Sequence, residues 1–105
     1  MRIDPVTLAR LRRDLMRRGH ALATLLSEVL AGKRPPALAA LLTGHPGKRP
    51  EEVVRLALDQ VEARRKLIDA DDDRYGRCDT CGLDLGAAAL GELPWADRCQ
   101  AHADA

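Results

Sequence analysis

Four side chains in the C-terminal third have the types and spacing of a metal site. Cys78 and Cys81 read Cys-x2-Cys, Cys99 and His102 read Cys-x2-His, and seventeen residues separate the two pairs. A closed tetrahedral zinc site takes donors of this kind. Each pair sits on a tight turn, and the spacer folds the second turn back onto the first. Gly82 directly follows the second thiol. A glycine there lets the backbone turn through positive φ and bring amide N–H groups toward the sulfurs. All three cysteines of the chain fall within the pattern, and an odd count argues against an internal disulfide framework. Four protein ligands leave no position open for water, so the expected cofactor is one structural Zn2+, acting as a staple.

Other chemistry finds little support. No cysteine lies outside the metal set to act as a nucleophile, and no carboxylate pair with a neighbouring histidine suggests acid–base work. Gly44-x2-Gly47-Lys48 has the wrong spacing for a phosphate loop and lacks a Ser or Thr after the lysine. His20 and His45 read as solvated side chains. An enzyme is not expected.

The elements that must carry the ligands are helical. The chain has 105 residues, with no phenylalanine, one tryptophan and one tyrosine. Leucine and alanine among many charged residues suit paired long helices, and so thin a core benefits from a metal staple. Nothing approaches 18 uninterrupted apolar residues, so no membrane span is expected. The opening Met-Arg-Ile-Asp-Pro lacks the apolar run of a signal peptide, and thiol ligands then fit the reducing cytoplasm.

A first helix is predicted to start at Asp4-Pro5, N-cap then first-turn proline, and to end before Gly32. Its stripe is Leu8, Leu11, Leu15, Leu22, Leu25 and Val29, with Arg18 at the missing step. Residues 32–50 form a proline-rich connector that contains a short helix over Pro36-Ala37-Leu38-Ala39-Ala40-Leu41-Leu42. Pro50-Glu51-Glu52 opens a second long helix, with acids where the helix dipole favours them. Its stripe is Val54, Leu58, Val61 and Ile68, with Arg65 between the last two and Leu56 and Leu67 widening it. The run Asp69 to Asp73 is unfavourable at a helix C-terminus, and fraying is expected there.

The expected fold class is mainly α: an antiparallel, coiled-coil-like helical hairpin over residues 1–74, with a basic tip at 32–50, followed by a Cys3His zinc finger over 75–105. In that hairpin Arg18 falls level with Arg65, either splaying to solvent or neutralised by Asp14, Glu62 and Asp69. Trp95 is expected to pack over the zinc knuckle.

Charge is divided along the chain. Residues 1–50 carry ten Lys/Arg against three Asp/Glu, and residues 51–105 carry seven against thirteen. Two readings fit: a basic helix lying on an acidic one, or a basic face for phosphates or an acidic protein surface. Candidate partner contacts are Lys33, Arg34, Lys48 and Arg49 at the tip and the stripe Arg10, Arg13 and Arg17 on the first helix.

Tyr75-Gly76-Arg77-Cys78-Asp79-Thr80-Cys81-Gly82, with Leu85, Leu90 and Leu93-Pro94-Trp95-Ala96-Asp97-Arg98-Cys99, resembles the zinc finger of the DksA/TraR family. The likeness is specific over residues 75–102 and architectural over 1–74. It implies a protein that binds RNA polymerase through its secondary channel and alters transcription initiation. Two departures stand out. The family's usual fourth ligand is cysteine where this chain has His102, and residues 32–50 contain no Asp or Glu where an acidic tip is characteristic of DksA. The competing expectations are a zinc-stapled interaction module with another partner and an arginine-rich nucleic-acid-binding zinc protein.

Overall fold

The computed structural model describes residues 2–103, so the last two residues of the expected finger lie outside it. It is mainly helical, with no strand among the described residues. Helix α1 runs Pro5–Leu30, α2 Pro36–Leu42, α3 Pro50–Asp69 and α4 Ala87–Glu92, and a 3-10 turn covers Gln100–His102. No helix is long and apolar enough to cross a membrane.

Local chemistry sets the helix ends. The Asp4 carboxylate accepts the Thr7 N–H at 2.9 Å, and Pro5 occupies the first turn, so α1 starts where the sequence predicts. At its end Gly32 adopts φ 85°, and the Lys33 and Gly32 amides return to the carbonyls of Glu28 (2.9 Å) and Val29 (3.0 Å). The end of α3 repeats that device. Asp71 takes φ 53°, while the Asp72 and Asp71 amides bond to the carbonyls of Leu67 (2.9 Å) and Ile68 (3.0 Å). The expected fraying is therefore replaced by a closed Schellman cap. Aspartate tolerates the left-handed region better than most non-glycine residues.

Helices α1 and α3 share one core. Leu11, Leu15, Leu22, Leu25 and Val29 of α1 join Val54, Val61 and Ile68 of α3, Leu38 of α2, and Tyr75 and Leu90 of the C-terminal region. Arg12 meets Asp69 at 2.6 Å, and Val61 lies against Gly19, so the start of α1 lies beside the end of α3. Leu56 does not widen the α3 stripe. It stands roughly 200° around the helix from Val54 and is 44% exposed.

Arg18 and Arg65 do not face each other as a like-charged pair. Arg65 donates to Glu62 (2.9 Å) and Asp69 (2.8 Å), while the Arg18 guanidinium stands over the Trp95 ring, 4.6 Å from its centroid. Trp95 thus packs on the helical core and under Arg18, which corrects its expected place over the zinc knuckle.

Candidate metal centre

The ligand-bearing segment is fixed to the helices before any metal is considered. Tyr75 is fully buried and its hydroxyl donates to the Pro94 carbonyl at 2.9 Å; burial pushes its pKa up to about 12. Arg2 reaches across from the start of the chain. It bonds to Asp84 (2.7 Å), to the Asp73 carbonyl (2.8 Å) and to the Tyr75 carbonyl (2.8 Å). Arg77 holds Asp73 at 3.2 Å, and Arg74 takes Asp72 at 2.7 Å. Those guanidiniums hold the carboxyls of Asp73, Asp84 and Asp72 below the ordinary range, Asp72 down to about 2.

The first ligand pair sits on a tight backbone turn. Cys78 N–H donates to the Leu83 carbonyl (2.8 Å) and Leu85 N–H to that of Gly76 (2.9 Å), with an antiparallel bridge between Arg77 and Asp84. Gly82 takes φ 76° just after Cys81, as the motif requires. The second pair stands on the 3-10 turn, where His102 N–H donates to the Cys99 carbonyl at 2.9 Å. One further bond, Asp79 N–H to the Asp97 carbonyl at 2.7 Å, ties the two ligand turns together.

The ligand atoms of Cys78, Cys81, Cys99 and His102 all lie within 4.8 Å of one another. Cys81 Sγ is 3.7 Å from Cys99 Sγ, and His102 Nδ1 is 3.7 Å from Cys78 Sγ and 3.1 Å from Cys99 Sγ. A tetrahedron with Zn–S about 2.3 Å and Zn–N about 2.0–2.1 Å has edges of about 3.8 Å between sulfurs and about 3.5 Å between sulfur and nitrogen. The donors are therefore spaced to hold one ion, and the spacing is consistent with zinc. The sulfurs are too far apart for a disulfide, which needs about 2.05 Å, and all three cysteines are free.

Electrostatics favour the thiolate at Cys78 and oppose it at Cys81. Burial opposes charge at Cys78, but the amides of Cys99, Cys81 and Thr80 outweigh it and bring its pKa down to about 5. At Cys81 the Leu83 amide favours the thiolate, yet desolvation and the neighbouring thiols Cys78 and Cys99 raise its pKa overall. A divalent cation would relieve that repulsion. Cys78 and Cys99 are buried, His102 is half-buried and Cys81 is exposed.

The basic candidates lie elsewhere. Lys33 and Arg34 follow α1, Lys48 and Arg49 precede α3, and all four are exposed. Arg49 meets Glu51 at 3.5 Å. Along α1, Arg10, Arg13 and Arg17 are exposed, and Arg17 pairs at 3.8 Å with Asp14 of the same helix. Of the first helix's own arginines, Arg12 is the one that meets an acid of α3, so the charge division is resolved only in part by contact between the helices. One residue escaped the periodicity reading. Arg64 is 8% exposed and its Nη2 lies 3.3 Å from Asp79, in the turn of the first ligand pair. Both Val61-Arg64-Ile68 and Val61-Arg65-Ile68 satisfy alternating steps of three and four; the packed ligand turn decides for Arg64. Compared with protein-family models, with curated proteins and with solved structures, the chain shows no match.

Proposed function

We propose that this chain is a zinc-binding, transcription-associated protein that binds RNA polymerase, as its resemblance to the DksA/TraR family implies, and that it works without an acidic tip. The observation that carries the reading is the Cys3His cluster seated at one end of two long packed helices, the same order in which that family joins hairpin and finger. In this reading α1 and α3 form an antiparallel, coiled-coil-like hairpin, and Zn2+ held by Cys78, Cys81, Cys99 and His102 fixes the finger as a second contact surface. The tip presents Lys33, Arg34, Lys48 and Arg49. Ammonium and guanidinium groups have no acceptor atoms for magnesium, so the tip meets acidic side chains or phosphates instead. Binding without DksA-like inhibition of ribosomal-RNA promoters is expected.

The test is retention of the zinc-loaded chain on core RNA polymerase, with in vitro transcription at a ribosomal-RNA promoter. Retention that Lys48→Glu with Arg49→Glu weakens supports the reading. Failure to bind polymerase would sink it, and strong promoter-specific inhibition by the parent would sink the argument about the tip. A second reading rests on Arg10 and Arg13, which are exposed on α1. If that face takes nucleic acid, affinity falls linearly in log salt with a slope set by the phosphates contacted.

A further inference from the structure

A cleft of about 480 Å³ lies between α3 and the turn of the first ligand pair. Its wall carries three guanidiniums, Arg64, Arg74 and Arg77, and one carboxylate, Asp79, with Ala63 and Leu67 as the apolar part. The other acids these arginines use, Asp72 and Asp73, do not line the cleft. Counting the Cys78 thiolate that also lines it, the wall is net positive by one charge.

Arg64 makes this cleft more than a patch of surface charge. It is the one charged residue buried among the described residues, and it hydrogen-bonds to Asp79 at 3.3 Å. Its Nε and Nη1 are closed off from solvent without a hydrogen-bond partner. A buried cation with unsatisfied donors is destabilising unless an acceptor is supplied, and such orphans call for a missing partner. Arg74 and Arg77 lie on solvent-exposed ion pairs with side chains 76% and 37% exposed. Each guanidinium carries five N–H donors, so both can bond an anion in the cleft while keeping these pairs.

We propose that this cleft binds a small phosphate monoester, its phosphate held by Arg64, Arg74 and Arg77 and its organic part lying against Ala63 and Leu67. A phosphate has the sign of charge that this wall attracts and offers enough acceptor oxygens for several guanidinium forks at once, which a lone carboxylate does not. The volume falls within the range of small-molecule pockets and exceeds what a bare phosphate fills.

The experiment is calorimetric titration of the zinc-loaded chain with inorganic phosphate and with phenyl phosphate, in the absence of polymerase and at fixed ionic strength. Its outcome is thus separate from that of the polymerase-binding test. A single equivalent of each probe is expected, at roughly millimolar affinity or tighter. Arg64→Gln weakens it about tenfold, the loss expected for a charge-assisted fork. Arg74→Gln weakens it several-fold without altering the fold, since that side chain is exposed, and Arg55→Gln leaves it unchanged. If Arg64→Gln fails to fold, Arg74→Gln decides alone. The proposal is overturned if neither probe binds, if the foldable variants of Arg64 and Arg74 keep the parent affinity, or if Arg55→Gln weakens binding as much as Arg74→Gln.

Discussion

The C-terminal ends of α1 and α3 use one backbone device for two different surroundings. Both close in a Schellman cap, through Gly32 in α1 and Asp71 in α3. After α1 comes a stretch rich in cations, where Lys33, Arg34 and Lys48 have no carboxylate partner among the described residues. From the last residue of α3 onward, arginines meet acids: Arg12 and Arg65 on Asp69, Arg74 on Asp72, Arg2 and Arg77 on Asp73. One end leaves its cations exposed, and the other is used to seat the ligand-bearing segment. The difference shows how a run of acids at an unfavourable helix terminus becomes a junction once guanidiniums surround it.

The largest test of that contrast removes the metal ligand at the junction. Cys78→Ser should abolish zinc in metal analysis, because structural zinc is worth about 10–16 kcal/mol to the segment it folds. Far-UV dichroism should retain most of its helical signal, since the core of α1 and α3 needs no metal. Collapse of both signals would make the metal segment a condition for the helix pair. At the fourth ligand, His102→Ala should lose metal readily, while His102→Cys should keep it; equal zinc retention by His102→Ala would place the fourth donor elsewhere.

Next in size, Leu15→Ala should cost about 2–5 kcal/mol in chemical denaturation, as a fully buried leucine between the two helices. A far smaller loss would mean that the helices pack loosely and that the junction carries the stability. The two caps can then be exchanged. Gly32→Ala forces a Cβ into a φ of 85° and should destabilise by about 1–2 kcal/mol. Asp71→Gly relaxes a φ of 53° and should be neutral or stabilising by up to about 1 kcal/mol. Opposite signs in thermal melts support the shared device, and a large loss from Asp71→Gly would show that this side chain, not its backbone, holds the junction.

The smallest effect concerns acid. The Asp69, Asp72, Asp73 and Asp84 carboxyls are depressed by arginine hydrogen bonds. Their stabilisation is thus complete above the ordinary carboxylate value and is lost as pH falls, for Asp72 through about 2. Asp72→Asn should flatten part of the acid limb of stability measured below pH ~4. An unchanged limb would remove the Asp72–Arg74 pair from the junction's account.

Local signals explain what the sequence already contained. The donor spacing of the Cys3His set, the Asp4-Pro5 start and the proline that opens α3 act within a few residues, so they could be read without knowing any neighbour. Arg64 was hidden for the opposite reason, because periodicity admitted Arg65 equally well and only a distant turn chose between them. The Arg18–Trp95 contact spans most of the chain and leaves no local trace. Helix α4 has a weak local signature, three alanines and a leucine after Gly86 with no side-chain cap. The cap at Asp71 was obscured because a run of acids there argues against a stable helix end until the arginines on Asp69, Asp72 and Asp73 are known.

The stacked Arg18 and Trp95 also give the molecule a built-in optical gauge. Trp95 is the sole indole in the chain, and it joins the ligand-bearing segment to the middle of α1. With a cation over its face and the helical core beneath, its surroundings depend on the docked arrangement. Chelator added to zinc-loaded protein should therefore shift its emission toward longer wavelengths before helicity falls, so undocking can be timed in the unlabelled protein.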